Sequence, residues 1–565
     1  MPSRVVDYLI GAVSALGVRH IFGVDGANIE DLYDAAYESG GRVQAVVAKH
    51  EFGAATMADG YARSTAGLGV VCATSGGGAM NLIAGLAESH ASRVPVLALV
   101  GQAPTNLEGK GAFQDSSGLS GTLDAAEIFR SVTRYCARID SPRSLPGHLA
   151  RAVTAARSGG PAVLLFPKDI QQAGFEAEPF TARPAVRGHD DDGVAHLLEL
   201  VRAARLTGKV VIIAGAQIAR DDARNELREL VNRLDAGVGV APDAKDVFGD
   251  TEPGYLGVAG SMGHAELRDS LHGCALCLLI GTRMPVTDRA GLESELTGSV
   301  ASLGAEAPHI PAAHVMTTDL AATLRTMVAA LGPARGRTHR GGYRRAPDPP
   351  ITAGLEFRRG PDVHAGLDYR TIVETISNTI DYDTDVFADA GNTGASVVHH
   401  LRMPPEGRFV VALGMGGMGY AFGAAIGSCF ARRHRPGGSA RRTVVVAGDG
   451  AFYMHGMEIH TAIEYGLPVT FIVLDNSAHA MCVTREQIYY GDRYSFNRFQ
   501  QAQLGAGMAA MFPRLPSYAP ATGREFGTAL RNCLDIAGPS FIALDCDPDE
   551  IPPFAPFLTA ARSNS

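Results

Sequence analysis

The residues best placed to do chemistry stand in Val444–Ala480, VVVAGDGAFYMHGMEIHTAIEYGLPVTFIVLDNSAHA. One apolar run ends at Asp449, between Gly448 and Gly450, and a second ends 27 positions after that acid, at Asn476. A carboxylate and an amide oxygen are hard ligands that suit Mg²⁺, an ion that prefers six oxygens and often takes some from a phosphate. One helix-like and one strand-like segment separate the two residues. A parallel α/β unit would therefore return both to the carboxyl rim of its sheet, where such folds bind ligands. The flanking glycines allow a tight turn and a close approach to backbone. Equally, each stretch reads as an ordinary turn.

A second glycine-rich stretch competes. GMGGMG, Gly414 to Gly419, follows the apolar FVVAL and precedes an apolar helix pattern, which fits the GxGxxG dinucleotide fingerprint. The acid that ends the next apolar run is Asp449, 30 positions after Gly419. The fingerprint places its acid about 20 positions on.

The elements that must position these residues alternate along the chain. Its 565 residues, 46% hydrophobic and 19% charged, describe a globular protein long enough for three domains. A net charge of −9 gives no footprint for nucleic acid, although anionic ligands stay possible where backbone donors or a metal face them. No apolar run reaches the ~18 residues that a membrane helix needs. The N-terminal MPSRVVDYLIGAVSAL lacks a signal-peptide build, and the eight cysteines are scattered as reduced core thiols are, so a cytoplasmic protein is expected. Cys274 and Cys277 form a lone CxxC in the strand-like CALCLLIG, where neither a redox nor a zinc role is expected.

Strand-like and helix-like runs predict an α/β unit over residues 1–178, a second over 190–331 and a third over 367–565. The stretch 332–366 carries seven arginines among many Gly and Pro and reads as a solvated linker.

Several segments together resemble the thiamine-diphosphate-dependent enzymes. The Gly-Asp-Gly to Asn spacing looks like that family's diphosphate-and-metal motif. AKHEFGAATMADGYAR (Ala48–Arg63) is similar to the segment with the activating glutamate, and TSGGGAMN (Thr74–Asn81) to the family's Thr-Ser-Gly-Pro-Gly stretch. VPVLALVGQAPTNLEGKGAFQDSSG resembles the acetolactate synthase segment that ends in Phe-Gln-Glu. The resemblance spans essentially the whole chain. It implies three doubly wound parallel-sheet domains: pyrimidine-binding, central and diphosphate-binding.

The same resemblance assigns roles. Glu51 would meet the aminopyrimidine, in a sequestered position where a hydrogen bond counts for more. Asp449, Asn476 and the backbone carbonyl of Ala478 would hold Mg²⁺, with Asp475 standing where the family usually has a second Asn. Gly391, Asn392, Thr393, Gly416, Gly448, Gly450 and Ala451 would line the diphosphate site. Met418 would prop the cofactor in a bent shape, or be a plain core methionine. Gln114 matches a glutamine that faces the reacting carbons. Asp25 stands in a strand-to-helix loop, where it would transfer protons, disfavour a substrate's own carboxylate, or cap the following helix. His50 fits either a synthase-like or a structural role, and His399-His400 reads as a surface pair.

Within the family the signals divide. The chain has no tryptophan, whereas biosynthetic acetolactate synthases use one to choose the larger acceptor; MCVTREQ (Met481–Gln487) replaces that neighbourhood. No flavin site is expected in the middle domain. The tail IPPFAPF and the Gly26-Ala27 loop look more like benzaldehyde lyase, and the Gln114 segment more like acetolactate synthase. The resemblance implies a carboligase that decarboxylates a 2-oxo acid such as pyruvate and passes the acyl carbanion to a second carbonyl. A simple 2-oxo acid decarboxylase or acyloin lyase is the alternative, and a non-catalytic cofactor-binding homologue the reading from another class. The family's site lies between subunits, which implies a homodimer or homotetramer.

Overall fold

The computed structural model describes residues 3–181, 187–333, 366–433, 441–494 and 496–557. Most of the expected linker, 334–365, lies outside them.

Three six-stranded sheets, each wholly parallel, organise the chain. The first contains β1 (His20–Val24), β2 (Gln44–Val47), β3 (Gly69–Ala73), β4 (Val96–Gln102), β5 (Tyr135–Arg138) and β6 (Pro161–Pro167), in the order 2-1-3-4-6-5. The second contains β7 (Val210–Ala214), β8 (Gly237–Val240), β9 (Tyr255–Val258), β10 (Leu276–Ile280), β11 (Val300–Gly304) and β12 (Ala313–Met316), in the order 12-11-10-7-8-9. The third contains β13 (Asp385–Ala388), β14 (Phe409–Val411), β15 (Thr443–Gly448), β16 (Val469–Asp475), β17 (Ser517–Tyr518) and β18 (Ser540–Asp545), in the order 14-13-15-16-18-17. The third therefore repeats the order of the first, and the second is the doubly wound dinucleotide-type order. Central strands such as VVIIA and VTFIVLD are buried throughout because helices cover both faces, which explains their unbroken apolar runs.

The helices that matter for the site are α1 (Glu51–Thr65), α2 (Ile83–Ala91), α3 (Gly391–His400), α4 (Tyr420–Arg432), α5 (Asp449–His455) and α6 (Ala480–Tyr490). Helix α1 of the first domain crosses α4 of the third with their backbones in contact. A Cβ on Gly60 would lie 2.0 Å from the Ala424 carbonyl oxygen, and one on Gly427 1.9 Å from that of Met57. Small residues spaced along GAATMADGYA and AFGAAIGS make this approach possible. Around the crossing, Phe22, Val71, Phe387 and Val445 from both sheets join one apolar core.

His399 and His400 are buried rather than on the surface. They end α3 against the middle domain, where the His399 ring packs on His264 with 4.4 Å between centroids and its Nδ1 bonds the Met262 carbonyl at 2.9 Å. The covering segment comes from a distant part of the chain, so nothing in the helix's own pattern announced it.

Alanine at Gly427 must push backbone apart, and it should lower the unfolding free energy by about 3 kcal/mol or prevent folding. Gly11 lies inside the helix Val5–Ala15, and a Cβ there meets nothing within 4 Å. Gly11→Ala should instead be neutral or stabilising by up to about 1 kcal/mol. Urea unfolding of the two variants beside the parent checks both.

Candidate functional site

At the carboxyl rim of the third sheet, β15 and β16 pair Gly448 with Leu474, so Asp449 and Asp475 leave adjacent strands side by side. Both are buried, 1% and 4% exposed. The Asp475 Oδ1 accepts the Ser477 N–H at 2.9 Å and its hydroxyl at 3.2 Å. The Oδ2 atoms of Asp449 and Asp475 are buried without a hydrogen-bond donor. Burial, then the neighbouring Asp475, raises the Asp449 carboxyl above its ordinary value. Asn476 donates its Nδ2 to the Tyr369 hydroxyl at 2.7 Å, and its Oδ1 accepts the Ala478 N–H at 3.0 Å.

The surrounding backbone is packed at Gly450, in contact at Gly448 and open at Gly391 and Gly416. A Cβ on Gly450 would meet the His479 ring at 2.7 Å and the Met418 Cε at 3.1 Å, and one on Gly448 would lie 3.4 Å from the Thr393 hydroxyl. Gly391 opens α3 with φ +83°, facing open space, and Gly416 does the same at φ +66°. Asn392 donates to the Glu550 carbonyl at 3.3 Å, while its Oδ1 is buried and unpartnered. Ala451 is buried beneath Gly450 in α5. Unpartnered buried oxygens beside an amide and a loop carbonyl fit a divalent cation, and the glycine edges fit a diphosphate approaching backbone. Among the described residues no three His, Cys, Asp or Glu converge on a metal position, and all eight cysteines are free thiols.

In the first domain Thr74 is the hub. A Cβ on Gly26 would meet the Thr74 side chain at 2.8 Å, and one on Gly78 would meet Thr74 and the Glu51 Oε1, each at 2.9 Å. The Thr74 hydroxyl accepts the Asn28 N–H and donates to the Gln114 Oε1, both at 3.2 Å. Gln114 takes a left-handed φ of +58°, half-buried beside Gly76. Glu51 starts α1, is 8% exposed, and accepts the Asn81 Nδ2 at 2.9 Å. His50 caps that helix through its Nδ1, which takes the Phe52 N–H at 3.0 Å.

Asp25 is not a helix cap. Its Oδ1 takes the N–H of the adjoining Gly26 at 2.7 Å, and the following helix, Glu30–Glu38, has Ile29 at its N-cap and no capping side chain. Partial desolvation raises the Asp25 carboxyl, against the opposing Gly26 N–H.

Two carboxylates that the sequence did not reveal tie these halves together. Glu88 on α2 accepts the N–H groups of Met415 at 2.6 Å, Gly414 at 3.1 Å and Gly416 at 3.2 Å, together with the Ser92 hydroxyl at 2.6 Å. Glu458 of the third domain accepts the N–H groups of Lys49 and His50, each at 2.9 Å, just ahead of Glu51. Beside it the His455 ring stacks on Phe52 with 4.2 Å between centroids. Four amides of GMGGMG are thus already held by carboxylates, those of Gly414, Met415 and Gly416 by Glu88 and that of Gly419 by Asp389 at 2.9 Å. The loop also follows β14, an edge strand, instead of the strand at a topological switch point. The dinucleotide reading of this stretch fails on both counts.

Three family models match in the same order as the sheets: the thiamine pyrophosphate enzyme N-terminal domain over residues 3–120, its central domain over 194–331 and its C-terminal domain over 389–544. The chain belongs to the thiamine-diphosphate-dependent enzymes. A Methanocaldococcus jannaschii protein named "Probable acetolactate synthase large subunit" is 28% identical over 97% of this chain and 93% of its own length. The acetolactate synthase isozyme 2 large subunit of Escherichia coli is 29% identical over 86% of each chain. The crystal structure of benzoylformate decarboxylase from Polynucleobacter necessarius superposes with a TM-score of 0.81 at 18% identity, over 97% of this chain and 100% of that one. The group is one of carboligases and decarboxylases, and the chain is an enzyme of it.

Burial pushes Glu458 up to about 7, against the N–H groups that favour its charged form. Between the ordinary value of 4.5 and about 7 the folded protein then binds the extra proton, so stability falls as pH rises through that window. The loss reaches about 3 kcal/mol. Glu458→Gln should remove this part of the slope. Thermal midpoints of variant and parent from pH 4.5 to 8 should therefore show the parent losing ground steadily as pH rises.

Proposed function

We propose that the protein is a thiamine-diphosphate- and Mg²⁺-dependent carboligase that decarboxylates a 2-oxo acid, pyruvate, and joins the remaining acyl group to a second carbonyl compound. One observation carries this reading. The chain pairs a sequestered Glu51 with a rim where Asp449 has a buried, unpartnered oxygen next to Asn476. The acetolactate synthase relatives support coupling over simple decarboxylation.

When bound, thiamine diphosphate supplies a thiazolium carbon that accepts the electron pair released as CO₂ leaves. The protein's residues do the rest. Asp449, Asn476 and the Ala478 carbonyl would hold Mg²⁺, and Gly391–Thr393, Gly416 and Gly448–Ala451 would line the diphosphate. Met418, reaching over Gly450, props the cofactor. Glu51 holds and returns a proton on its carboxylate at the aminopyrimidine, fixed in place by Asn81. Gln114, set by Thr74, orients the reacting carbonyl, and Asp25 moves protons at the mouth of the site.

In one chain Glu51 bonds Asn81 of its own domain, while Asp449 and Asn476 belong to the third-domain rim. The family's arrangement, with the cofactor between the first domain of one subunit and the third of another, supports a site completed between Glu51 of one protomer and Asp449 of its partner, in a homodimer or homotetramer. Reduced thiols support a cytoplasmic setting. The benzoylformate decarboxylase neighbour favours a second reading, simple 2-oxo acid decarboxylation, in which a proton takes the place of the acceptor.

Incubation with pyruvate, Mg²⁺, thiamine diphosphate and a panel of aldehydes and 2-oxo acids should release CO₂ and yield coupled products by mass spectrometry. CO₂ with free aldehyde alone would favour the second reading. Glu51→Gln should lower the rate by about 10² to 10⁴-fold while cofactor binding, read by calorimetry, persists.

A further inference from the structure

We propose that Asp475 is an additional ligand of the divalent cation, and that the third domain therefore takes up the metal before and without the diphosphate. The inference rests on the cofactor-site reading and extends it to the order of assembly. Asp475 occupies the position after Leu474 on β16, beside Asp449 at the end of β15. Ser477 holds one of its oxygens through an N–H at 2.9 Å and a hydroxyl at 3.2 Å, which fixes the orientation of the other. That other oxygen is buried without a donor, as is the Oδ2 of Asp449. Both side chains are more than nine-tenths buried. Two carboxylates held side by side out of water repel each other, and a cation between them relieves that repulsion where otherwise a shared proton must.

The charge balance sets the consequence. With Asp449 alone, a doubly charged ion would keep one net charge for the diphosphate to neutralise, so metal and cofactor would bind together. With Asp449 and Asp475 the protein neutralises the ion itself. Carboxylate count is what tunes affinity at oxygen sites.

The test is calorimetric titration of Mg²⁺ and Mn²⁺ into the metal-stripped full chain without thiamine diphosphate, for the parent, Asp475→Asn and Asp545→Asn. The parent should bind one ion per chain, and Asp475→Asn at least tenfold more weakly. Asp545 pairs with Asp475 on the next strand but is exposed, so Asp545→Asn should stay within twofold of the parent. Metal-free Asp475→Asn should melt above the metal-free parent, because a repulsion is gone, and below it once Mn²⁺ is added.

Equal metal affinity in the parent and Asp475→Asn would overturn the proposal. So would an equal loss in Asp545→Asn, or a parent that takes no metal until the cofactor is present. If Asp475→Asn does not fold, the parent titration alone decides. Thiamine diphosphate added last separates the two readings: metal uptake with no cofactor binding would sink the cofactor site and leave the metal site standing.

Discussion

The placement of both half-sites that each chain carries depends on two helices lying closer than side chains ordinarily allow. Helix α1 begins at Glu51, and α4 begins directly after the loop that ends in Met418 and Gly419. Where they cross, glycines put backbone against backbone, with virtual Cβ positions about 2 Å from the opposing carbonyl oxygens. The contact fixes the acid-bearing end of one domain relative to the glycine loop of the other. Side chains at the crossing would separate the axes toward the usual 8–10 Å or more and loosen both.

Two buried carboxylates then set the loops that precede these helices. Glu88 reaches from the first domain to amides of the third, and Glu458 from the third to amides of the first. Hydrogen bonds to a charged group contribute about 1.5–3 kcal/mol each and offset part of the cost of burying the charge, although at Glu458 burial outweighs them. The exchange is crosswise because the two domains share one strand order. Similar folds facing each other across paired helices present equivalent positions to each other, so each can clamp its counterpart's loop. They differ in what they leave free: an acid beside Asn81 in the first, oxygens without donors in the third.

Much of this was legible in the chain. Buried parallel strands announce themselves as unbroken apolar runs, and Asp449 and Asn476 stand out by their spacing and flanking glycines, whereas Glu51 is reached only through the family resemblance of Ala48–Arg63. Strand order was not legible, since it depends on which runs pair after crossovers. Glu88 and Glu458 were missed because a lone acid in a helix has the same pattern whether it faces water or another domain's amides. His399 and His400 were read as surface residues for the same reason: their cover arrives from Met262 and His264, far away in sequence. At Asp25 the sequence does not separate a helix cap from a functional acid, because the carboxylate turns back on the Gly26 N–H, a choice that only the local backbone sets.

The glycine loop Gly414–Gly419 shows why a motif alone does not determine chemistry. Consecutive backbone N–H groups form an anion-binding concavity whatever the anion is. In a dinucleotide fold the anion is a pyrophosphate at a central strand. Here the concavity follows an edge strand and is filled by the carboxylate of Glu88, which belongs to the protein. The loop's amides therefore serve to hold domains together, and what it offers a ligand is the open backbone edge at Gly416 and the Met418 side chain over Gly450. The anion-binding work passes to the neighbouring turn, Gly448–Gly450, where buried oxygens without donors call for a cation and, through it, a phosphate.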